Sequence, residues 1–172
     1  MKKIMLIGLM AGLTVLAACK KDESSGRLQI RLTDAPVNYD AVWVEIERVD
    51  IHLVSDQNGG EWIELPTESG KYDLLELQNG IDTPLVDVSN LPAGKITQLR
   101  MILGSNNELD INGTLTPMKV PSGSQTGIKV VGKMELDPNQ TLVVRLDFDA
   151  GASVVDQGSG EYHLKPVIKV LE

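Results

Sequence analysis

The sequence contains few of the residues that most often carry catalysis. Its 172 residues include one cysteine (Cys19), two histidines and one phenylalanine, and aromatic residues make up only 3% of the chain. A single cysteine excludes an internal disulfide and a cysteine-rich metal site. Neither His52 nor His163 accompanies a nucleophile motif such as Gly-x-Ser-x-Gly. We therefore predict that the protein is not an enzyme.

Basic residues are also in the minority. The formal net charge is −8, from 16 Lys and Arg against 24 Asp and Glu. An acidic chain repels phosphate backbones, and no basic stripe interleaved with aromatic residues is present. Nucleic acid is therefore not expected as a partner. The scarcity of aromatic residues also argues against an extended sugar-binding platform, although Trp43 and Trp62 are available for stacking.

The N-terminal segment has the parts of a bacterial lipoprotein signal. Lys2 and Lys3 precede an apolar stretch over residues 4–16 that is too short to span a bilayer as a helix. The sequence Leu16-Ala17-Ala18-Cys19 then resembles a lipobox, whose cysteine receives the lipid. We predict a signal peptide over residues 1–18, an acylated and flexible tether over 19–26, and a β-sandwich domain over 27–172.

Acylation of Cys19, with palmitate among the chains, would make the membrane the first partner of this protein. We expect an outer-membrane lipoprotein that either faces the periplasm or is exposed at the cell surface. The charged run Lys20-Lys21-Asp22-Glu23 resembles the surface-export signal of some Gram-negative lipoproteins. A solvated tether is the alternative interpretation of the same run.

Alternation of apolar and polar residues dominates the rest of the chain and predicts β-strands. The apolar phase slips by one residue near Glu47-Arg48, which predicts a β-bulge. The run Asn58-Gly59-Gly60 predicts the turn of a hairpin over residues 41–65. We expect an all-β fold, a single antiparallel β-sandwich of about eight to ten strands, either immunoglobulin-like or transthyretin-like.

Three segments test this prediction. We expect a strand over residues 72–77, and a loop or a short helix over 79–90. The last strand contains Tyr162, Leu164, Ile168 and Val170 on one face, with Pro166 among them. Because proline removes a ladder donor, this strand is expected at a sheet edge or with a bulge.

Three carboxylates are candidate metal ligands. Asp34 follows the first predicted strand, and Asp147 and Asp149 share one strand face because alternate residues point the same way. If the fold joins them, their oxygens suit a calcium ion. The alternative is a solvated strand face, with an Asx turn before Pro36.

A polar, glycine-rich loop over residues 121–127 is a candidate ligand-binding segment. Its Ser122, Ser124 and Thr126 offer hydroxyl groups, and its glycines expose backbone amides. It lacks the Gly-Lys-Ser/Thr sequence of a phosphate-binding loop, so no nucleotide is expected. An ordinary connection between strands is the alternative.

Seven sequence blocks occur in one order along the chain. They are Leu32-Thr33-Asp34-Ala35-Pro36, Val42-Trp43-Val44-Glu45-Ile46, Leu74-Leu75-Glu76-Leu77-Gln78-Asn79-Gly80, Leu91-Pro92-Ala93-Gly94, Val120-Pro121-Ser122-Gly123, Leu146-Asp147-Phe148-Asp149-Ala150 and Leu164-Lys165-Pro166-Val167-Ile168. Together they resemble the bacterial lipoprotein family described as domain of unknown function 4382. The resemblance covers about residues 28–171. It implies a cell-envelope β-domain and supplies no catalytic residues.

These features favour a lipid-anchored binding or adhesion module of the cell envelope, without catalytic activity, whose ligand is a glycan or a protein. One alternative is a structural envelope protein that assembles with a protein partner through its last strand. Another is a calcium-dependent or hydrolytic enzyme domain. No cofactor is expected other than calcium.

Overall fold

The computed structural model describes residues 25–56, 58–121, 127–132 and 134–171. These residues form fourteen strands, the α-helix α1 (Ala150–Ser153) and a 3₁₀ helix (Leu74–Leu77). The strands are β1 (Ser25–Thr33), β2 (Ala41–Ser55), β3 (Asn58–Leu65), β4 (Gly70–Asp73), β5 (Thr83–Pro92), β6 (Gly94–Leu103), β7 (Glu108–Ile111), β8 (Thr114–Lys119), β9 (Ile128–Val130), β10 (Met134–Leu136), β11 (Thr141–Phe148), β12 (Val154–Asp156), β13 (Tyr162–Leu164) and β14 (Ile168–Leu171).

The strands form two sheets that pack in a sandwich-like arrangement, which confirms the predicted all-β architecture. The smaller sheet has the strand order β14-β11-β1-β5. The larger has the order β10-β6-β2-β7-β8-β13-β12, with β3 and β4 also paired to β2 and β9 paired to β6. Two pairs, β1 with β11 and β8 with β13, are parallel, so the sheets are mixed rather than purely antiparallel. Both pairs join strands that are distant in the chain, where no hairpin fixes the direction.

One apolar cluster lies between the sheets, and the alternation of the sequence supplies it. In β1, Leu28, Ile30 and Leu32 are completely buried. Complete burial of an aliphatic side chain of this size contributes about 1.5–3 kcal/mol. Within the described residues, no helix has the length and hydrophobicity needed to cross a membrane.

The long strand β2 contains the predicted bulge. Its pairing with β6 shifts register between Ile46 and Arg48. The buried side chains accordingly change from even-numbered positions, such as Val44 and Ile46, to odd-numbered ones, such as Val49 and Ile51. The bulge lets one strand face the core along its whole length.

The predicted hairpin is also confirmed, although its turn lies slightly earlier. Strand β2 pairs with β3 in antiparallel register, and Ser55 is opposite Asn58. The segment Asn58-Gly59-Gly60 therefore begins β3 rather than forming the turn. Gly60 has a φ of 110°, a backbone conformation that favours glycine.

Three predicted segments are divided or reassigned. Residues 74–77 form a 3₁₀ helix rather than a strand, because the Asp73 side chain accepts a hydrogen bond from the Leu75 amide and caps the helix. The expected loop over 79–90 contains most of strand β5. The last strand is broken around Pro166 into β13 and β14, which belong to different sheets. Strand β14 lies at a sheet edge, as predicted.

The block Leu91-Pro92-Ala93-Gly94 joins β5 to β6, and its glycine is required by a close approach. A Cβ atom at Gly94 would lie 2.3 Å from the carbonyl oxygen of Val54. The chain therefore passes from the smaller sheet to the larger one at a point where only glycine fits.

Candidate functional site

The predicted site residues fall into two groups. Cys19, Ser122, Ser124 and Thr126 lie outside the described residues, so the predicted lipidation site and ligand loop have no structural description. The three predicted metal ligands are described and lie at one end of the sandwich. We call this region the carboxylate end and define it as Asp34, Gln78, Asp147, Asp149 and Ala150.

Asp34 is the centre of the carboxylate end. It follows β1 and is only 5% exposed. Its Oδ1 accepts a hydrogen bond of 2.8 Å from the Ala150 amide, and its Oδ2 accepts one of 3.0 Å from Gln78 Nε2. Its own amide donates to the Leu77 carbonyl oxygen at 3.0 Å. The side chain thus connects β1, the 3₁₀ helix region and α1.

The neighbouring Thr33 strengthens the same connection. Its hydroxyl oxygen lies 2.9 Å from the Leu77 carbonyl oxygen and 2.8 Å from that of Ile81. The turn between these two carbonyls requires positive φ at Asn79 (59°) and Gly80 (84°). Asn and Gly are the residues that adopt this conformation most readily.

Asp149 has left the strand and caps α1. Its Oδ1 accepts from the Ala152 amide at 2.9 Å, so the expected shared strand face of Asp147 and Asp149 is not formed. Its carbonyl oxygen accepts from the Ser153 hydroxyl at 2.6 Å, and that hydroxyl oxygen in turn accepts from the Val167 amide at 2.9 Å. Lys169 Nζ lies 3.6 Å from Asp149 Oδ2.

The electrostatics of the carboxylate end reflect its burial. Burial raises the pKa of Asp34, and the nearby Asp147 charge raises it further, whereas hydrogen bonds from Ala150, Gln78 and Ala35 oppose the rise. Burial also raises the pKa of Asp147, with a further contribution from Asp149 and opposition from Lys169. The three predicted carboxylates therefore lie close enough to influence one another.

This proximity does not produce the predicted calcium arrangement. Among the residues that the structure describes, no group of three or more His, Cys, Asp or Glu side chains is placed to hold a metal ion. The physical reason is that carboxylate oxygens of Asp34 and Asp149 already accept hydrogen bonds within the protein. Asp34 accepts from Ala150 and Gln78, and Asp149 caps α1, so oxygens that would ligate calcium bind amides instead.

A second group of side chains lies on the outer face of the larger sheet. We call it the Trp62 face and define it as His52, Trp62, Thr97 and Arg100. The Trp62 indole is 39% exposed. The Arg100 guanidinium carbon lies 3.7 Å from its ring centroid, and the His52 ring is edge-on to it at 5.3 Å. His52 Nδ1 is 2.7 Å from Thr97 Oγ1.

Strand pairing explains how these side chains meet. His52 of β2 lies between Trp62 of β3 and Gln98 of β6 in the register of the sheet. Arg100 is two residues further along β6, so its side chain reaches Trp62 diagonally across β2. Diagonal neighbours in a sheet are within reach of long and aromatic side chains.

Residues on both sides of the predicted ligand loop line one groove. It has a volume of about 430 Å³ and is lined by apolar residues that include Val120, Pro121, Ile128 and Pro166. Gly127, at the far end of the loop, also lines the groove and packs against Arg100. The residues that flank the predicted loop therefore lie next to the Trp62 face.

Sequence reasoning identified Trp62 as a residue available for stacking but not its partner. Arg100 stands among alternating residues of β6, and its charge there is typical of any solvent-facing strand position. The contact between Arg100 and Trp62 depends on a bulge in the β2–β6 pairing between His52 and Leu53. The position of that bulge follows only from the register of both strands.

Comparison with known proteins extends these observations. The family model of the domain of unknown function DUF4382 matches residues 25–166. The chain belongs to the DUF4382 family. This confirms the resemblance found in the sequence blocks. No curated protein and no solved structure shows significant similarity to the chain.

The DUF4382 match includes both regions described above. Blocks of the sequence that are far apart in the chain meet at the carboxylate end, where Asp34 contacts Gln78 and Ala150. The block that contains Pro166 joins them through the hydrogen bond from Val167 to Ser153. Four of the seven blocks thus form one hydrogen-bonded network. The polar residues of these blocks that take part in it therefore have a structural role in the fold.

Proposed function

We propose that this DUF4382 protein is a lipid-anchored, non-catalytic binding module of the bacterial cell envelope, and that it binds a glycan on the Trp62 face. The observation that carries the proposal is the exposed indole of Trp62 with the Arg100 guanidinium held against it. The lipid on Cys19 would attach the module to the outer membrane.

The chemistry of the Trp62 face suits a sugar. A large aromatic ring that is apolar on its faces and polar at its N–H gains from contact with the apolar face of a pyranose ring. His52 lies beside the indole and Thr97 contacts His52, and both residues carry polar groups that suit sugar hydroxyls. Since Arg100 covers part of the indole, a ligand would contact the exposed part of the ring beside the guanidinium.

The edges of the smaller sheet favour this proposal over assembly through strand addition. Along β5, Thr67 bridges to Val86, and the Glu68 amide donates to the Leu85 carbonyl oxygen at 2.8 Å. The opposite edge strand, β14, is only four residues long. Covered and short edges are features that prevent pairing with another chain.

A glycan-binding experiment tests the proposal. The full chain in detergent micelles would be screened against envelope and host glycans, with hits measured by isothermal titration calorimetry, which does not depend on the indole that Trp62→Ala removes. We expect saturable binding that Trp62→Ala abolishes. Leu115→Ala, which removes a residue 54% exposed on β8, should leave binding unchanged. Absence of any saturable binding, or binding insensitive to Trp62→Ala, would overturn the proposal.

The anchor is tested separately. Cys19→Ser removes the only thiol of the chain and should give a protein that incorporates no labelled palmitate and leaves the detergent phase. Detergent partitioning that does not change in this variant would overturn the proposed anchor while leaving the glycan site untouched.

A further inference from the structure

Arg100 is held in a fixed position on the Trp62 face. Its guanidinium lies on the indole, and its aliphatic stem packs against Gly127, where a Cβ atom would lie 2.2 Å from Arg100 Cγ. Gly127 has a φ of 77°, so its backbone is arranged for this close contact. The arginine is thus preorganised on both sides.

Among the residues that the structure describes, no carboxylate forms an ion pair with Arg100. Asp50 is directly opposite Arg100 in the β2–β6 register, but its carboxylate binds Arg48, with Nε to Oδ1 at 2.8 Å. Glu64 also faces Arg48, at 3.4 Å. Within the described residues Arg100 forms no ion pair, and its buried Nε has no hydrogen-bond partner.

A second cation extends this arrangement. Lys129 of β9 is directly opposite Arg100 of β6 and is exposed. Residues that are directly opposite in an antiparallel pair point to the same face of the sheet. The two cations therefore lie side by side on the face of the sheet that carries Trp62, in a chain whose formal net charge is −8.

We infer that the ligand of the Trp62 face is an acidic glycan of the uronic acid type, with its carboxylate bound by Arg100. This inference rests on the proposed glycan-binding function and adds the chemical class of the sugar. A guanidinium binds a planar carboxylate through two parallel hydrogen bonds. A preorganised arginine loses little side-chain entropy when it forms them.

The acidic character of the chain makes this site selective. A polyanion is repelled by most of the surface and gains only where unneutralised cations lie together. A neutral glycan would stack on Trp62 but would leave Arg100 without a charged partner. The expected preference is therefore for the acid over its neutral counterpart.

The test compares an acidic polymer with its neutral methyl ester, which has the same sugar backbone. Polygalacturonate and its methyl ester would be titrated against the full chain in micelles, with the heat of binding as the signal. We expect the acid to bind at least tenfold more tightly than the ester, with affinity that falls as salt rises. Arg100→Met should remove this preference while the ester still binds. Arg145→Met is the matched control, because Arg145 is an exposed arginine of the other sheet that binds Asp82.

Each result separates the inference from the proposed function. Equal binding of acid and ester, with loss in Trp62→Ala, would overturn the acidic class and keep the glycan site. A preference for dextran sulfate over both galacturonans would also overturn the carboxylate assignment. Lack of binding to any glycan would overturn both. The comparison of the two polymers uses the unsubstituted Arg100, so it decides the question even if Arg100→Met fails to fold.

Discussion

The carboxylate end and the Trp62 face use charge in opposite ways. At the carboxylate end, Asp34 is buried and accepts hydrogen bonds from Ala150 and Gln78. On the Trp62 face, Arg100 is partly exposed and has no carboxylate partner among the described residues. A carboxyl group whose hydrogen-bond partners are all internal is part of the fold, whereas a cation without a charged partner is available to a ligand.

The residues that identify the family and the residues proposed to bind a ligand lie in different regions. The recognisable blocks meet at the carboxylate end, where their side chains bind backbone groups of other blocks. The Trp62 face is built from positions on β2, β3 and β6 that alternate with core residues. We therefore expect substitutions at the carboxylate end to change stability most, and substitutions on the Trp62 face to change binding most.

The largest effect should come from Asp34→Ala. It leaves the Ala150 amide and Gln78 Nε2 without an acceptor in a buried site, which should lower the free energy of unfolding by about 2–4 kcal/mol. Urea denaturation measures this change. Asp137→Ala, at an exposed position near the opposite end of β11, should change stability by less than about 0.5 kcal/mol. Similar losses in the two variants would remove the structural role given to Asp34.

Thr33→Val should have a smaller effect than Asp34→Ala. Valine keeps the shape of the side chain but removes the hydroxyl that reaches the Leu77 and Ile81 carbonyls. We expect a loss of about 1 kcal/mol in urea denaturation. Thr114→Val, at an exposed position of β8, provides the same substitution without that network. A stabilised Thr33→Val protein would show that the hydroxyl contributes nothing to the turn.

The pH dependence of stability should show a smaller effect with a defined sign. The folded state raises the pKa of Asp34 above its ordinary value of 3.8, so the folded state holds this proton more tightly than the unfolded state does. The contribution of Asp34 is therefore fully present below pH 3.8 and is lost as pH rises through the raised pKa. Asp82 and Asp87 have lowered pKa values through Arg31 and Arg27 and give the opposite slope.

A difference measurement isolates Asp34 from these salt-bridged carboxylates. The unfolding free energy of the unsubstituted protein minus that of Asp34→Asn, measured by urea at several pH values, should decrease as pH rises. Asp87→Asn should give a difference that increases with pH, because the pKa of Asp87 is lowered by Arg27. A flat or rising difference for Asp34 would contradict its assignment as a buried carboxyl.

The two regions also differ in how far the sequence predicts them. Alternation correctly predicted the core positions of β1, the bulge after Ile46 and the hairpin of β2 and β3, because each depends on local periodicity. It did not predict whether Asp34 meets Asp147 and Asp149, because that depends on the parallel pairing of β1 with β11. It did not predict Gln78 as the partner of Asp34, because that contact depends on the 3₁₀ helix that precedes Gln78. Strand β5 was missed because Pro84 and several polar residues interrupt its pattern.

The Trp62 face was harder to predict for a related reason. Trp62 and Arg100 belong to strands that do not pair with each other, and they touch only across His52 of the strand between them. The contact therefore depends on two registers at once, one of which contains a bulge between His52 and Leu53. A single shifted residue would move Arg100 to the opposite face of the sheet.

The smallest effect on stability should come from Arg100→Met. Its guanidinium contacts the Trp62 indole but no carboxylate, and a cation–π contact at a partly exposed site contributes about 0.5–1 kcal/mol. Methionine retains an apolar stem against Gly127. We therefore expect urea denaturation to detect a loss of about 0.5 kcal/mol, beside the much larger change expected in acidic glycan binding.

Arg48→Met provides the comparison on the same face of the same sheet. Arg48 is the cation that pairs with Asp50, whose side chain is 8% exposed, so its removal leaves a buried carboxylate without its charged partner. Because Arg48 itself is 44% exposed, solvent reduces the value of the pair, and we expect a loss of about 1–2 kcal/mol. If Arg100→Met costs as much stability as Arg48→Met, Arg100 has a structural partner of comparable strength. Its charge would then be committed to the fold, and the distinction between the two regions would fail.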